Sequence, residues 1–286
     1  MRTSLSVSWQ PVAGIFQNSL LTVLLIAASL SAAEPESGAG DNEATSAQKA
    51  RLAAMKRMAS RYQLAAGKDG VTKLELTAEP LLRWSNPVRG GEDGCLYLFV
   101  DKGRPQAALS IYPTNDKQAW NHEFQSLAET QLAATKGDKI AWRPDKPGVE
   151  FKSLPDAPVP AESATRRLAQ MRSLADHFSA TVDFRGDKTA LRRLSAPVYR
   201  YGSGETDPLD GAVFVFAQAT DPELLLLLEA RKSGDKHQWH YAVARSTMWV
   251  LEVEYGGRQV WTAARQDRAT ASPEQTYYDI ARQFDE

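Results

Sequence analysis

The sequence predicts an α+β protein of two tandem similar units, each an N-terminal helix packed on an antiparallel β-sheet, with a further helix at the C-terminus. Three observations predict it. First, the halves align at an offset of 117 residues: Pro80, Arg83 and Trp84 fall on Pro197, Arg200 and Tyr201, Asp93-Gly94 on Asp210-Gly211, and Pro105 on Pro222. Further along the offset becomes 119 and pairs Trp120 with Trp239, Gly137 with Gly256 and Trp142 with Trp261. These matches fall on Pro, Gly and Trp, whose backbone and packing demands are the least interchangeable. Second, each half opens with apolar residues at helical spacing. Third, each half carries apolar runs of strand length followed by turn residues.

After a long n-region whose one basic side chain is Arg2, the chain carries an apolar stretch, Leu20 to Ala33, that ends in Ser31-Ala32-Ala33, small residues where a signal peptidase reads. Residues 1–33 are therefore expected to be a signal peptide cleaved before Glu34. The stretch is shorter than the ~20 residues that span a bilayer, and no cysteine stands directly after it to carry a lipid. The expectation is an exported protein, periplasmic or extracellular, with no stable membrane anchor after cleavage. Residues 34–46 are rich in Gly, Glu, Asp and Ser and read as a disordered leader with little to bury.

Unit 1 spans residues 47–143 and opens with a helix over 47–66, on which Leu52, Met55, Met58 and Tyr62 form an apolar stripe. Unit 2 spans 161–265 and repeats the stripe as Leu168, Met171, Leu174 and Phe178. Cys95 to Val100 and Ala212 to Ala217 are near-continuous apolar runs, which predict central strands buried on both faces. After Asp221-Pro222 the leucine run 224–228 has the form of a capped helix start, but its counterpart, Gln106 to Tyr112, is short and follows a glycine turn, so both read as strands. Each unit closes with a hairpin, turning at Gly137 and at Gly256-Gly257. Five prolines mark 144–160 as a stiff connection, and Ser272-Pro-Glu-Gln reads as a capping sequence for a final helix over 272–286.

With 34 basic and 35 acidic side chains, the chain lacks the concentrated positive charge that nucleic-acid binding requires. The single cysteine, Cys95, reads as a buried strand residue. His122-Glu123-Phe-Gln-Ser126 begins like a zinc-protease helix, but Ser126 stands where the second histidine belongs, and on a strand residues four apart lie about 13 Å from each other. His237 and His240, with Asp235 nearby, offer two ligands without an evident third. Tyr201-Gly-Ser-Gly-Glu205 lacks the spacing of a nucleophile elbow, and the paired glycines read as turns. The pattern implies no cofactor, no metal and no catalytic residue.

The segment Arg83 to Gly94, joined to Gly103-Arg-Pro-Gln106 and His122-Glu-Phe-Gln-Ser126, resembles an uncharacterised family of exported bacterial proteins. The resemblance covers mainly unit 1 and implies export, with no site residues. Contact candidates come from where the halves differ: Trp84 against Tyr201, and Asn121, His122 and Glu123 against His240, Tyr241 and Ala242, with His237 and His240 as the second unit's counterpart. Arg83 and Asp93 recur as Arg200 and Asp210 and predict a charge-assisted brace in each unit. The function expected is a non-enzymatic binding or scaffold protein that meets a protein or envelope partner on a surface shared by both units. An envelope hydrolase with its site in the cleft between units, using His122, Glu123 and Asp93, and a carbohydrate-binding module are the alternatives.

Overall fold

The computed structural model of the protein describes residues 38–67, 70–87, 90–202 and 207–282. The signal segment 1–33 and the start of the leader lie outside the described residues. In the first half, helix α1 (Gly38–Ala59) is followed by β1 (Tyr62–Ala66), β2 (Thr72–Lys73), β3 (Glu75–Leu76), β4 (Leu82–Asn86), β5 (Gly91–Asp101), β6 (Arg104–Pro113), β7 (Trp120–Ser126), β8 (Leu132–Lys136) and β9 (Lys139–Trp142). The connection carries β10 (Lys152–Ser153). The second half repeats the order with α2 (Ala164–Asp176), β11 (Phe178–Phe184), β12 (Asp187–Ala190), β13 (Arg192–Arg193), β14 (Tyr199–Tyr201), β15 (Asp210–Gln218), β16 (Asp221–Ser233), β17 (Lys236–Arg245), β18 (Val250–Tyr255) and β19 (Arg258–Ala263), then ends in β20 (Tyr277–Arg282).

The fold class expected from the sequence needs correction: the protein is mostly β, with two helices and four antiparallel sheets among the described residues. The C-terminal helix expected over 272–286 is absent from the described part of that segment, where residues 277–282 form β20. The hydrogen bonds of a capping box do form there, Ser272 N–H donating to Gln275 Oε1 (3.2 Å) and Glu274 N–H to Ser272 Oγ (3.2 Å). A tertiary demand overrides them, because β7 would otherwise present an open edge that β20 pairs from Tyr277–Gln125 to Arg282–Trp120. The opening helix is also shorter at its C-terminal end than expected. It stops at Ala59, so Tyr62 continues the apolar series as the first inward residue of β1, as Phe178 does for β11. At its start α1 reaches back to Gly38, into the stretch expected as leader.

The two halves share one strand order. A four-stranded sheet β2-β1-β8-β9 faces a larger sheet built on β7-β6-β5, and β12-β11-β18-β19 faces one built on β17-β16-β15. Within each half the helix and the small sheet cover one face of the large sheet. Cys95, Tyr97 and Phe99 of β5 point into the first core, and Ala212, Phe214 and Phe216 of β15 into the second. The alternate residues, Leu96, Leu98 and Val100 with Val213, Val215 and Ala217, meet in a third core between the two large sheets. Burial on both faces is why these strands read as unbroken apolar runs.

Each large sheet is completed by the segment that follows the other half. β10, after the first half, pairs with β17 of the second, and β20, after the second half, pairs with β7 of the first. The halves thus exchange edge strands reciprocally. Each half is also braced by a buried aspartate between two arginines: Asp93 takes Arg51 (2.8 Å) and Arg83 (2.7 Å), and Asp210 takes Arg167 (2.8 Å) and Arg200 (2.7 Å). Each aspartate ties its half's helix to the strand β4 or β14.

Candidate functional site

Where the edge of one large sheet meets the turns of the other, the halves leave a cleft of about 670 Å³. Its first wall is the inter-unit face of β4, β6, β7 and β20. Alternation along β7 turns Asn121, Glu123 and Gln125 to this face and sends His122, Phe124 and Ser126 the other way. Trp84 on β4 lies across Gly94, its cross-strand partner, so closely that any side chain at residue 94 would collide with the indole. The indole leans on Tyr112 with ring centroids 5.0 Å apart.

The second wall is the start of β16 with the segment 246–249. Arg245 holds that segment by donating to the carbonyls of Thr247 (2.7 Å), Trp249 (2.8 Å) and Ala264 (2.9 Å). The walls are joined by Thr220, whose hydroxyl accepts from Ser85 N–H (2.8 Å) and donates to Ser85 O (2.9 Å), and by Asn86, which donates to Asp221 Oδ2 (3.0 Å).

The floor is acidic and buried. Glu123 and Asp279 are direct cross-strand neighbours on β7 and β20. Burial, then the negative charges of Asp279 and Asp221, hold the Glu123 carboxyl well above the usual carboxylate range, although Tyr112 and Tyr277 both donate to its Oε1 at 2.8 Å. Burial also raises Asp279, against the opposing pull of Arg268, whose Nε donates to Asp279 Oδ2 at 3.0 Å. Among the described residues, the buried atoms of cleft-lining side chains that meet no hydrogen-bond partner in the protein include Trp84 Nε1, Asn86 Oδ1, Asn121 Oδ1 and Asp279 Oδ1. Leaving a buried polar atom unpaired costs about 1–3 kcal/mol, so these polar side chains sit beside the cleft at a cost to stability.

Of the residues singled out in the sequence, Trp84, Asn121 and Glu123 come together in this cleft. His122 does not. Its Nδ1 lies 3.0 Å from Tyr62 Oη inside the first core. His237 and His240 sit on β17 away from the cleft; three residues apart on a strand, they project to opposite faces. His240 Nδ1 lies 3.2 Å from Gln238 O. Asp93 is held in its arginine brace. Asp221, Tyr112 and Asp279 belong to the cleft and were not singled out. Asp221 reads locally as a helix cap, Tyr112 as one residue of an apolar strand, and Asp279 as part of a helix.

The buried His122 makes a prediction about pH. Burial, followed by the charges of Arg282 and Lys136, pushes its pKa from 6.5 down to about 3. The unfolded chain therefore binds a proton that the folded chain refuses between about pH 6.5 and pH 3, and stability falls as pH falls through that window. His122→Gln should retain on the order of a few kcal/mol of what the wild type loses there. Urea midpoints at pH 7.5 and pH 4.5 measure it, and equal losses in the two proteins would contradict it.

No protein-family model matches this chain, and neither do curated proteins nor solved structures.

Proposed function

We propose that this is an exported binding protein whose cleft between the two halves takes a small, polar, hydrogen-bond-donating ligand or the projecting end of a larger one. The observation that carries the reading is the cleft of about 670 Å³ between the halves, whose lining is rich in polar and charged side chains such as Asn121, Glu123 and Asp279 beside Trp84 and Tyr112. Six carboxyl-bearing side chains line it against three arginines, so the complementary ligand brings N–H or O–H groups. Export rests on the apolar stretch at Leu20–Ala33 and its small-residue ending.

A thermal-shift panel of sugars, polyols, amino acids and amines tests the reading. A ligand that raises Tm for the wild type and loses at least tenfold in affinity on Asn121→Ala supports it. A panel that leaves Tm unmoved, or a hit that Asn121→Ala and Trp84→Ala both leave intact, refutes it.

One observation favours a second reading, hydrolysis in the same cleft: Glu123 is raised as a general acid must be, and Asp279, directly across from it, is held by Arg268. Turnover of a bound ligand that vanishes in Glu123→Gln while binding persists would establish it, and a ligand recovered unchanged would exclude it.

A further inference from the structure

The wall of the cleft that the second half supplies carries two aromatic rings and two arginines. Phe184, at the end of β11, and Trp249 meet edge to face with ring centroids 4.6 Å apart. Arg185 lies over the Phe184 ring at 5.2 Å, and Arg265, just after β19, over the Trp249 ring at 4.8 Å. All four residues line the cleft. At the offset of 119 Trp249 falls on Thr130, so the fold common to both halves does not require an aromatic ring at this place.

The backbone fixes where Arg185 stands. It occupies the two-residue turn between β11 and β12, with φ 57° at Arg185 and 91° at Gly186, and the Gly186 N–H donates to Asp183 Oδ1 (2.7 Å). Contact with a ring narrows the rotamers open to each arginine, so less freedom is lost when the guanidinium takes up a ligand.

These two guanidiniums differ from the others around the cleft. Arg268 is held by Asp279, and Arg245 by three backbone carbonyls. Arg185 and Arg265 are exposed, and among the described residues each meets only its ring. A guanidinium whose face lies on a ring still has its N–H donors in the plane of the group, a fork that matches the oxygens of a carboxylate or a phosphate.

The carboxyls of the cleft are engaged within the protein. Tyr112 and Tyr277 donate to Glu123, Arg268 to Asp279 and Asn86 to Asp221. Nearer the surface, Asp116 and Asp267 close local turns by accepting from the Gln118 N–H (3.1 Å) and the Ala269 N–H (3.0 Å). The acidic groups therefore meet the protein's own donors, while Arg185 and Arg265 present cationic N–H groups to the cleft.

From this we infer that the ligand of the cleft carries an oxyanion, a carboxylate or a phosphate, which Arg185 and Arg265 hold beside the Phe184–Trp249 pair while its O–H or N–H groups face the polar side. Both arginines are exposed, so an oxyanion reaches them without displacing a buried group. The inference rests on the binding reading above and gives the charge of its ligand.

Calorimetric titration with D-glucuronate and D-glucose 6-phosphate, with D-glucose as the uncharged comparator, tests it. The expected result is that at least one anion binds about tenfold tighter than glucose, weakens as salt is raised, and weakens about tenfold in Arg185→Gln and in Arg265→Gln. Tighter binding of glucuronate supports the carboxylate form of the inference, and tighter binding of glucose 6-phosphate the phosphate form. The salt dependence and the comparison with glucose are read on the wild type, so they decide even where a variant fails to fold. Glucose bound as tightly as the anions, or anions whose affinity neither substitution changes, overturns the oxyanion assignment and leaves the cleft as a binding site. An uncharged member of the thermal-shift panel that binds while neither anion does has the same meaning. If neither the anions nor any member of the panel binds, the binding reading falls as well.

Discussion

Replacing Asp210 by alanine is expected to cost the fold about 3–5 kcal/mol, the usual price of removing one partner from a buried ion pair. The carboxylate is almost wholly enclosed, with a side-chain exposure of 3%, and Arg167, at 8%, is buried with it. Arg167 also donates to the carbonyls of Ala161 and Glu162, so it ties the connection, helix α2 and the large sheet together. Without the carboxylate a guanidinium charge stays buried with only carbonyls to meet it. The matching substitution in the first half, Asp93→Ala, should cost less, because Arg51 and Arg83 are about one-third exposed and water can solvate them. Chemical denaturation of both variants measures the difference. Equal and small losses would show that the aspartates do not brace the two halves.

A chain ending after Gln275, and so lacking β20, is expected not to fold into a stable first half. Tyr277 and Tyr278 are both buried, and removal of one large core aromatic alone typically costs 3–5 kcal/mol. The truncation removes both rings, the phenol that donates to Glu123, and the partner of β7 along its whole length. Such a loss is comparable with the entire stability of a domain, about 5–15 kcal/mol. The bare β7 edge should also aggregate. A synthetic peptide of residues 272–286 added in trans should restore solubility and the native circular dichroism spectrum. A truncated protein that melts like the wild type would mean that strand exchange contributes nothing.

What was legible in the sequence was the part governed by local pattern. The apolar runs at 95–100 and 212–217, the leucine strand at 224–228 and the glycine hairpins at 137 and 256–257 are strands and turns because period, length and turn chemistry agree there. The Arg83–Asp93 and Arg200–Asp210 pairs were legible because both partners recur. What was not legible depends on the other half of the molecule. The segment 272–282 opens with sound capping chemistry and nonetheless becomes a strand at 277–282, because its fate is set by an edge more than a hundred residues earlier. His122 and Glu123 are neighbours whose roles differ only by the face of β7 on which each lies. Asp221 and Asp279 enter the site through sheet register and strand exchange, which spacing along one chain does not reveal.

The proposed binding in the cleft between the halves can be read directly at its aromatic wall. The Trp84 indole N–H is the most direct probe, a buried donor on the cleft wall with no partner in the protein. In a two-dimensional proton–nitrogen spectrum its resonance is assigned by its loss in Trp84→Phe and followed as a ligand found by the thermal-shift panel is added. The Trp84 indole peak is expected to shift saturably, with the indole of Trp239, buried in the second core, unmoved. A ligand that saturates the protein while the Trp84 indole stays in place, or one that shifts residues around His237 and His240 instead, would contradict it.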